Sequence, residues 1–289
     1  MRILVLGGDG MLGHRLLRSW AGRHELGASF RRGRSDYEDQ RGTGATCFFH
    51  VDARRLDDVI AVLAQFRPEV VVNAIGIVKQ RAAAKDEIPS IEVNALFPHR
   101  LAGLCATGGA KLVHISTDCV FSGAKGMYTE QDDPNPLELY GRTKLLGEVA
   151  YGHCLTLRAS IIGLELGHKA GLIEWYLSQR GPVKGYRKAI FSGITTREMA
   201  RAIEALLLDA PDLSGVWHLA SERISKYEVL RMLTEKLGRR DIELQPDDAF
   251  FCDRSLDSSA LQARVPYRVP SWEAMLDELA RDIQERNGR

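Results

Sequence analysis

Residues 3–13 read Ile3-Leu4-Val5-Leu6-Gly7-Gly8-Asp9-Gly10-Met11-Leu12-Gly13. Four consecutive apolar residues suit a strand covered on both faces, since a strand with one face in water alternates apolar and polar side chains. The run passes directly into glycines at positions 7, 10 and 13, a GxxGxxG spacing. At the first strand-to-helix turn of a parallel sheet each glycine has its own task. Gly7 permits the tight turn, Gly10 lets the backbone approach a phosphate, and Gly13 lets the helix lie close to the sheet. The helix that follows offers free N–H groups and the positive end of its dipole to a pyrophosphate.

Similar apolar runs recur at 25–30, 46–51, 70–75, 111–115 and 155–158, separated by amphipathic stretches that include Leu56, Val59, Ile60 and Leu63, then Leu101, Leu104 and Cys105. Strands alternating with helices around a buried sheet predict a doubly wound α/β fold with a parallel sheet. Beyond about residue 160 the alternation loosens. Helices are expected at 170–179, 198–208 and 226–237, and a strand at 215–219. A further helix carries the stripe Trp272, Met275, Leu276, Leu279 and Ile283, which should pack on the body of the protein. The expected division is a dinucleotide-binding portion over 1–160, rejoined by segments near 193–220. A smaller, mainly substrate-binding portion over 161–289 would close over the end of the sheet.

The 289 residues are 45% apolar and 27% charged, enough to supply a large core. With 39 basic and 38 acidic residues the formal net charge is +1, so no global field draws the chain to nucleic acid or membrane. An anionic ligand must be held locally. Cys47, Cys105, Cys119, Cys154 and Cys252 are odd in number, scattered, and without CxxC or histidine spacing. They read as reduced thiols, with neither a disulfide framework nor a metal site. The apolar start is too short for a signal segment or a spanning helix, so a soluble, cytoplasmic protein is expected.

Three further features carry chemistry. The second strand should end near Phe30, where a site for NAD places an acid on the ribose 2′-hydroxyl. Here Arg31-Arg32-Gly33-Arg34 follows, and arginines there suit a 2′-phosphate, which favours NADPH (NADP). Tyr140 and Lys144 stand four residues apart, on one face of a helix. A neighbouring ammonium favours the phenolate, so Lys144 is expected to lower the Tyr140 pKa and produce a general acid for a carbonyl being reduced. Thr117 follows the strand expected over 111–115, at the C-terminal end of a sheet strand where ligands bind in such folds, and could hydrogen-bond the substrate carbonyl beside Tyr140.

In this order the residues resemble the extended short-chain dehydrogenase/reductases, and within them the dTDP-4-dehydrorhamnose reductase-like family. The similarity runs through Arg2-Ile3-Leu4-Val5-Leu6-Gly7, Val72-Asn73-Ala74, Val93-Asn94-Ala95, Thr117-Asp118, Gly215-Val216-Trp217-His218, Ser225-Lys226-Tyr227-Glu228 and Arg254-Ser255-Leu256-Asp257-Ser258. It implies a Rossmann framework and reduction of the keto group of a nucleotide-linked 4-keto-6-deoxy sugar, as in making dTDP-rhamnose for polysaccharides. It implies Thr117, Tyr140 and Lys144 as the catalytic set, and Gly7, Gly10, Met11, Leu12 and Gly13 at the pyrophosphate. Asp52 and Ala53 would lie by the adenine and Ile75, Gly76 and Ile77 along the cofactor, with Tyr140 and Lys144 at its nicotinamide end. Thr117, Asp118, Ile161 and Arg254 would lie by the substrate. A homodimer is consistent with the resemblance, and nothing in the residues fixes one.

Three stretches depart from the family pattern. Cys119 replaces an aromatic residue, Val78-Lys79-Gln80-Arg81 replaces Thr-x-Val-Asp, and Arg158-Ala159-Ser160-Ile161 replaces Arg-Thr-Ser-Trp. A 4,6-dehydratase would need Glu where Cys119 stands. An epimerase-reductase resembling GDP-fucose synthase would use Cys119 with a histidine, for which His168 is the candidate. A third alternative is a non-catalytic NADP-binding regulatory subunit resembling the beta subunit of methionine adenosyltransferase.

Overall fold

The computed structural model describes residues 1–37, 43–78, 86–167 and 169–288. In chain order the first half comprises β1 (Arg2–Leu6), α1 (Gly13–Trp20), β2 (Glu25–Ser29), β3 (Thr46–Phe48), α2 (Leu56–Phe66), β4 (Val70–Asn73), α3 (Glu87–Ser90), α4 (Phe97–Gly108), β5 (Lys111–Thr117), α5 (Leu139–Leu146) and β6 (Cys154–Ala159). There follow β7 (Ile161–Ile162), α6 (Leu172–Ser178), β8 (Gly181–Tyr186), β9 (Ala189–Phe191), β10 (Ile194–Thr195), α7 (Thr196–Asp209), β11 (Gly215–His218), β12 (Ile224–Ser225), α8 (Lys226–Lys236), β13 (Ile242–Asp247), β14 (Cys252–Asp253), α9 (Ser259–Arg264) and α10 (Trp272–Asn287).

Seven parallel strands form the central sheet in the order β11-β6-β5-β4-β1-β2-β3. The fold is a doubly wound α/β sheet of the Rossmann type. Continuous apolar runs are required because successive side chains enter different cores. Ile3 and Val5 of β1, with Val70, Val72, Val113 and Leu155, join a core shared with α1, α7 and α10. Leu4 and Leu6, with Val71, Leu112 and Cys154, join a second core under α2 and α4. Each such side chain, fully buried, contributes roughly 1.5–3 kcal/mol of transfer free energy. The α10 stripe lies in the first core, with Met275, Leu276 and Ile283 buried. β3 is shorter than its apolar run: His50 adopts φ 62, which interrupts the regular strand, and the Val51 N–H then donates to the Phe30 carbonyl at 3.0 Å.

The strand order reverses between β1 and β4, whose ends pair Leu6 with Asn73. A crevice opens outside the strand ends at such a reversal, and ligands of open α/β sheets bind there. Above it sit a three-stranded sheet β12-β9-β14 and the pairs β10-β7 and β13-β8. A small core of Val120, Phe121, Tyr128, Ala220 and Leu256 gathers the chain after β5 with the segments that follow β11 and β14. β11 returns to the main sheet beside β6.

Candidate active site

The glycine turn is shaped by conformation and close contact at its glycines. Gly7 has φ 86, in the left-handed region that favours glycine. A Cβ on Gly13 would collide with the Gly7 carbonyl oxygen, so this glycine sets the closeness of α1 to β1. The Gly7 N–H donates to Ser29 Oγ at 3.1 Å and the Gly10 N–H to the Gly7 carbonyl at 3.0 Å. Among the described residues no acceptor pairs with the amides of Met11 or Leu12, which border the cavity at the start of α1. Unpaired amides at a helix start are donors for an anion.

Across the reversal, the chain after β4 is held by Asn94. Its Oδ1 accepts from the Ile77 N–H at 2.9 Å and its Nδ2 donates to the Ile77 carbonyl at 3.0 Å, as a strand neighbour would. Asn94 lies in a π-helical turn, Ile91–Leu96, between α3 and α4. Such single turns insert one residue into a helix and re-aim a side chain.

β5 delivers Thr117 to the carboxyl end of the sheet. Its hydroxyl accepts from the Cys119 N–H at 3.1 Å, capping a short 3₁₀ turn, and donates to Asp118 Oδ1 at 3.1 Å. Gly141 packs so tightly on the Cys119 carbonyl that a Cβ would collide with it, which pins the first turn of α5 to this loop. Tyr140 and Lys144 then face the same cavity, four residues apart.

The electrostatics correct one expectation. The Tyr140 phenol is raised above its ordinary pKa by burial, with Cys119 and Asp118 adding to the rise and the Thr117 hydroxyl opposing it. Lys144 does not depress it. The ammonium is directed to the sheet, donating to the Ile115 carbonyl at 2.7 Å, with His114 Nε2 at 3.4 Å. Burial lowers Lys144 itself to about 8, against the pull of Glu148. Tyr140 is therefore held as a neutral proton donor.

A cavity of about 290 Å³ collects Gly10, Met11, Leu12, Ile75, Gly76, Thr117, Asp118, Tyr140, Lys144 and Ile161. Gly7 and Gly13 shape it from behind, while Ile77 and Arg254 stand outside its lining. Arg31 and Arg32 are exposed beyond the end of β2. Asp52 lies with Ala53 past β3, outside the lining, and its carboxylate is held by the Arg54 guanidinium at 2.6 Å.

A family model described as the RmlD substrate binding domain matches residues 1–284. The chain belongs to this family. It is an extended short-chain dehydrogenase/reductase of the dTDP-4-dehydrorhamnose reductase-like branch. Among its relatives, methionine adenosyltransferase 2 subunit beta of Bos taurus is 25% identical over 95% of this chain and 87% of its own length. A probable dTDP-4,6-dihydroxy-2-methyloxan-3-one 4-ketoreductase of Streptomyces antibioticus is 37% identical over 52% of this chain and 46% of its own. The crystal structure of a dTDP-4-dehydrorhamnose reductase from Bacillus anthracis in complex with NADP matches with a TM-score of 0.76 at 21% identity, covering 96% of this chain and 98% of that one. At that identity the match speaks for the fold.

Within this RmlD-like frame the divergent positions have distinct fates. Cys119 lines the cavity, and its Sγ lies 3.5 Å from Arg254 Nη1. Ser160 and Ile161 line it too, whereas Arg158 is buried in a two-pronged ion pair with Glu148, Nε to Oε1 at 2.8 Å and Nη2 to Oε2 at 2.7 Å. Val78 borders the cavity; residues 79–81 and His168 lie outside the described residues. Sequence reasoning missed Lys226 as a site residue. It opens α8, lines the cavity, and holds its ammonium 3.2 Å from the centre of the Phe191 ring. Burial lowers it to about 8, with Asp118, Cys119 and Cys252 opposing and Arg254 reinforcing. A cation at a helix start runs against the dipole, and that placement was the signal available in the sequence.

Proposed function

We propose that the protein is an NADPH-dependent reductase acting on the keto group of a nucleotide-linked 4-keto-6-deoxy sugar. The observation that carries this reading is that Thr117, Tyr140 and Lys144 border one cavity with the glycine turn. On this reading residues 1–160 serve mainly the cofactor and 161–289 mainly the substrate, in a cytoplasmic enzyme.

The residues present fit a dinucleotide phosphate. The turn has no space for a side chain at Gly13, holds Gly7 at a positive φ, and presents the Met11 and Leu12 amides. Arg31 and Arg32 are the cations available to a 2′-phosphate. Ile75, Gly76 and Ile77 would flank the cofactor, Asp52 and Ala53 its adenine, and Lys144 the nicotinamide ribose. The bound nicotinamide supplies a hydride. Tyr140, kept neutral, gives its proton to the carbonyl oxygen as that oxygen gains charge, and the resulting phenolate regains a proton from solvent. Thr117 orients the oxygen. Lys226 and Arg254 bring positive charge to the substrate end, where an anionic diphosphate would pass.

The test is NADPH consumption over a panel of dTDP-, UDP- and GDP-linked 4-keto sugars. Turnover with at least one member is expected. Tight NADPH binding without oxidation by any of them would overturn the enzyme reading. It would favour a non-catalytic regulatory subunit, the reading supported by similarity to methionine adenosyltransferase 2 subunit beta over 95% of the chain. A bifunctional epimerase-reductase is favoured only by Cys119 at the cavity, and inversion of a ring centre during the assay would reveal it.

A further inference from the structure

Behind Lys144 lies a buried chain of hydrogen bonds that the proposed mechanism leaves unused. Asn73 and His114, at the end of β4 and in the middle of β5, are both fully buried. The Ile75 backbone N–H, which can only donate, reaches Asn73 Oδ1 at 3.2 Å. That fixes the amide, so its Nδ2 is the atom 3.1 Å from His114 Nδ1. An amide NH₂ can only donate, so Nδ1 is bare and the ring proton of a neutral imidazole resides on Nε2. An imidazolium would set N–H against N–H here, and burial already pushes His114 well below its ordinary pKa.

His114 Nε2 stands 3.4 Å from Lys144 Nζ, whose own proton goes to the Ile115 carbonyl at 2.7 Å. An ammonium would offer Nε2–H another donor; a neutral amine offers a lone pair. We infer that Asn73 fixes the tautomer of His114 so that Nε2–H faces the Lys144 nitrogen, making His114 a positioning residue that favours the neutral amine. A hydrogen bond to the neutral form disfavours the charged one.

The other titratable and charged groups around this cluster do not reverse that preference. Glu148, two residues past the end of α5, favours the charged amine, but its carboxylate is taken up by Arg158 and by Ser116 Oγ at 2.6 Å. Tyr140, one turn earlier, is held neutral, and His99 from α4 acts on His114 in the same sense as Lys144. Lys144 is thus a group that exchanges its proton near neutral pH, where a solvated lysine would be a permanent cation. The consequence for turnover rests on the reductase reading; the tautomer and the amine midpoint do not.

Nitrogen-15 NMR of the whole protein tests this without any substrate. Expected is a neutral His114 protonated on Nε2 from about pH 6 to about pH 9, and a Lys144 amine with its midpoint near 8. Asn73→Asp supplies a carboxylate that accepts from Nδ1–H and so frees Nε2 to accept from an ammonium. The ring proton should move to Nδ1 and the Lys144 midpoint should rise by about one unit or more, a tenfold change in proton affinity. A wild-type proton on Nδ1, or an ordinary lysine midpoint, overturns the inference even if the variant does not fold. So does a variant whose tautomer flips while the Lys144 midpoint stays in place. Should the sugar panel fail while these spectra hold, the reductase reading falls and this one stands.

Discussion

Replacing Lys144 by Met should make the protein's stability respond differently to pH, by an amount the structure sets. The ammonium is lowered from an ordinary 10.5 to about 8 by burial. Between those values the unfolded chain holds more protons than the native one, so the lysine's contribution to stability rises as pH rises. Below the folded value both states are charged and the native state bears the full cost of burying the ammonium. A shift of about 2.5 units at about 1.4 kcal/mol per unit makes that cost about 3 kcal/mol. About 2 kcal/mol of it should be recovered between about pH 6.5 and about pH 9.5, the rest as the unfolded lysine itself titrates. Met has similar length and no charge. It loses the bond to the Ile115 carbonyl, but that loss is the same at every pH. Urea unfolding of wild type and Lys144→Met across this range isolates the lysine, because the raised thiols of Cys105 and Cys154 are common to both proteins. The stability difference should move by about 2 kcal/mol in favour of wild type as pH rises. A difference that stays flat would refute a depressed Lys144 and the burial argument with it.

Tyr140→Phe keeps the ring and removes its transferable proton, so kcat should fall by ~10²–10⁴-fold with little change in NADPH affinity; wild-type kcat in a folded, NADPH-binding sample would remove Tyr140 as the acid. Changing Arg31 and Arg32 together to Ala should raise KM for NADPH far more than KM for NADH, and equal effects would remove their role at a 2′-phosphate. Among the described residues no three His, Cys, Asp or Glu side chains gather as metal ligands. Turnover should therefore survive EDTA, and loss of activity restored by a divalent ion would contradict this.

The features legible in the sequence are those where local rules and burial agree. Val70, Val71 and Val72 form an unbroken apolar run because β4 is buried on both faces, and the sequence pattern reports that directly. The glycines at 7 and 13 announce themselves because no other residue fits. The π turn at Asn94 was invisible, since an inserted residue leaves the helical pattern almost unchanged over so short a span. The pair β8 and β13 was missed because its strands, carrying Gly, Pro and charged residues, lie half in water and far apart in sequence. At the site, the spacing of Tyr140 and Lys144 put them on one helix face, but spacing alone did not show that the ammonium turns to the Ile115 carbonyl. The sign of the phenol's shift depends on that three-dimensional partner choice.

Behind the glycine turn, Arg15 of α1 reaches Asp282 of α10 at 2.8 Å, in a buried ion pair that Arg197 of α7 also joins. These partners stand 267 residues apart in the chain. The helix that should carry the cofactor's phosphates is thus anchored by a carboxylate that leaves the ribosome long after it. During synthesis Arg15 must wait in solvent, because burying its charge without Asp282 would leave it uncompensated. The nascent first half can collapse around β1, β4 and β5, but α1 gains its final anchor only when residue 282 arrives. Competence to bind the dinucleotide should therefore emerge late and all at once.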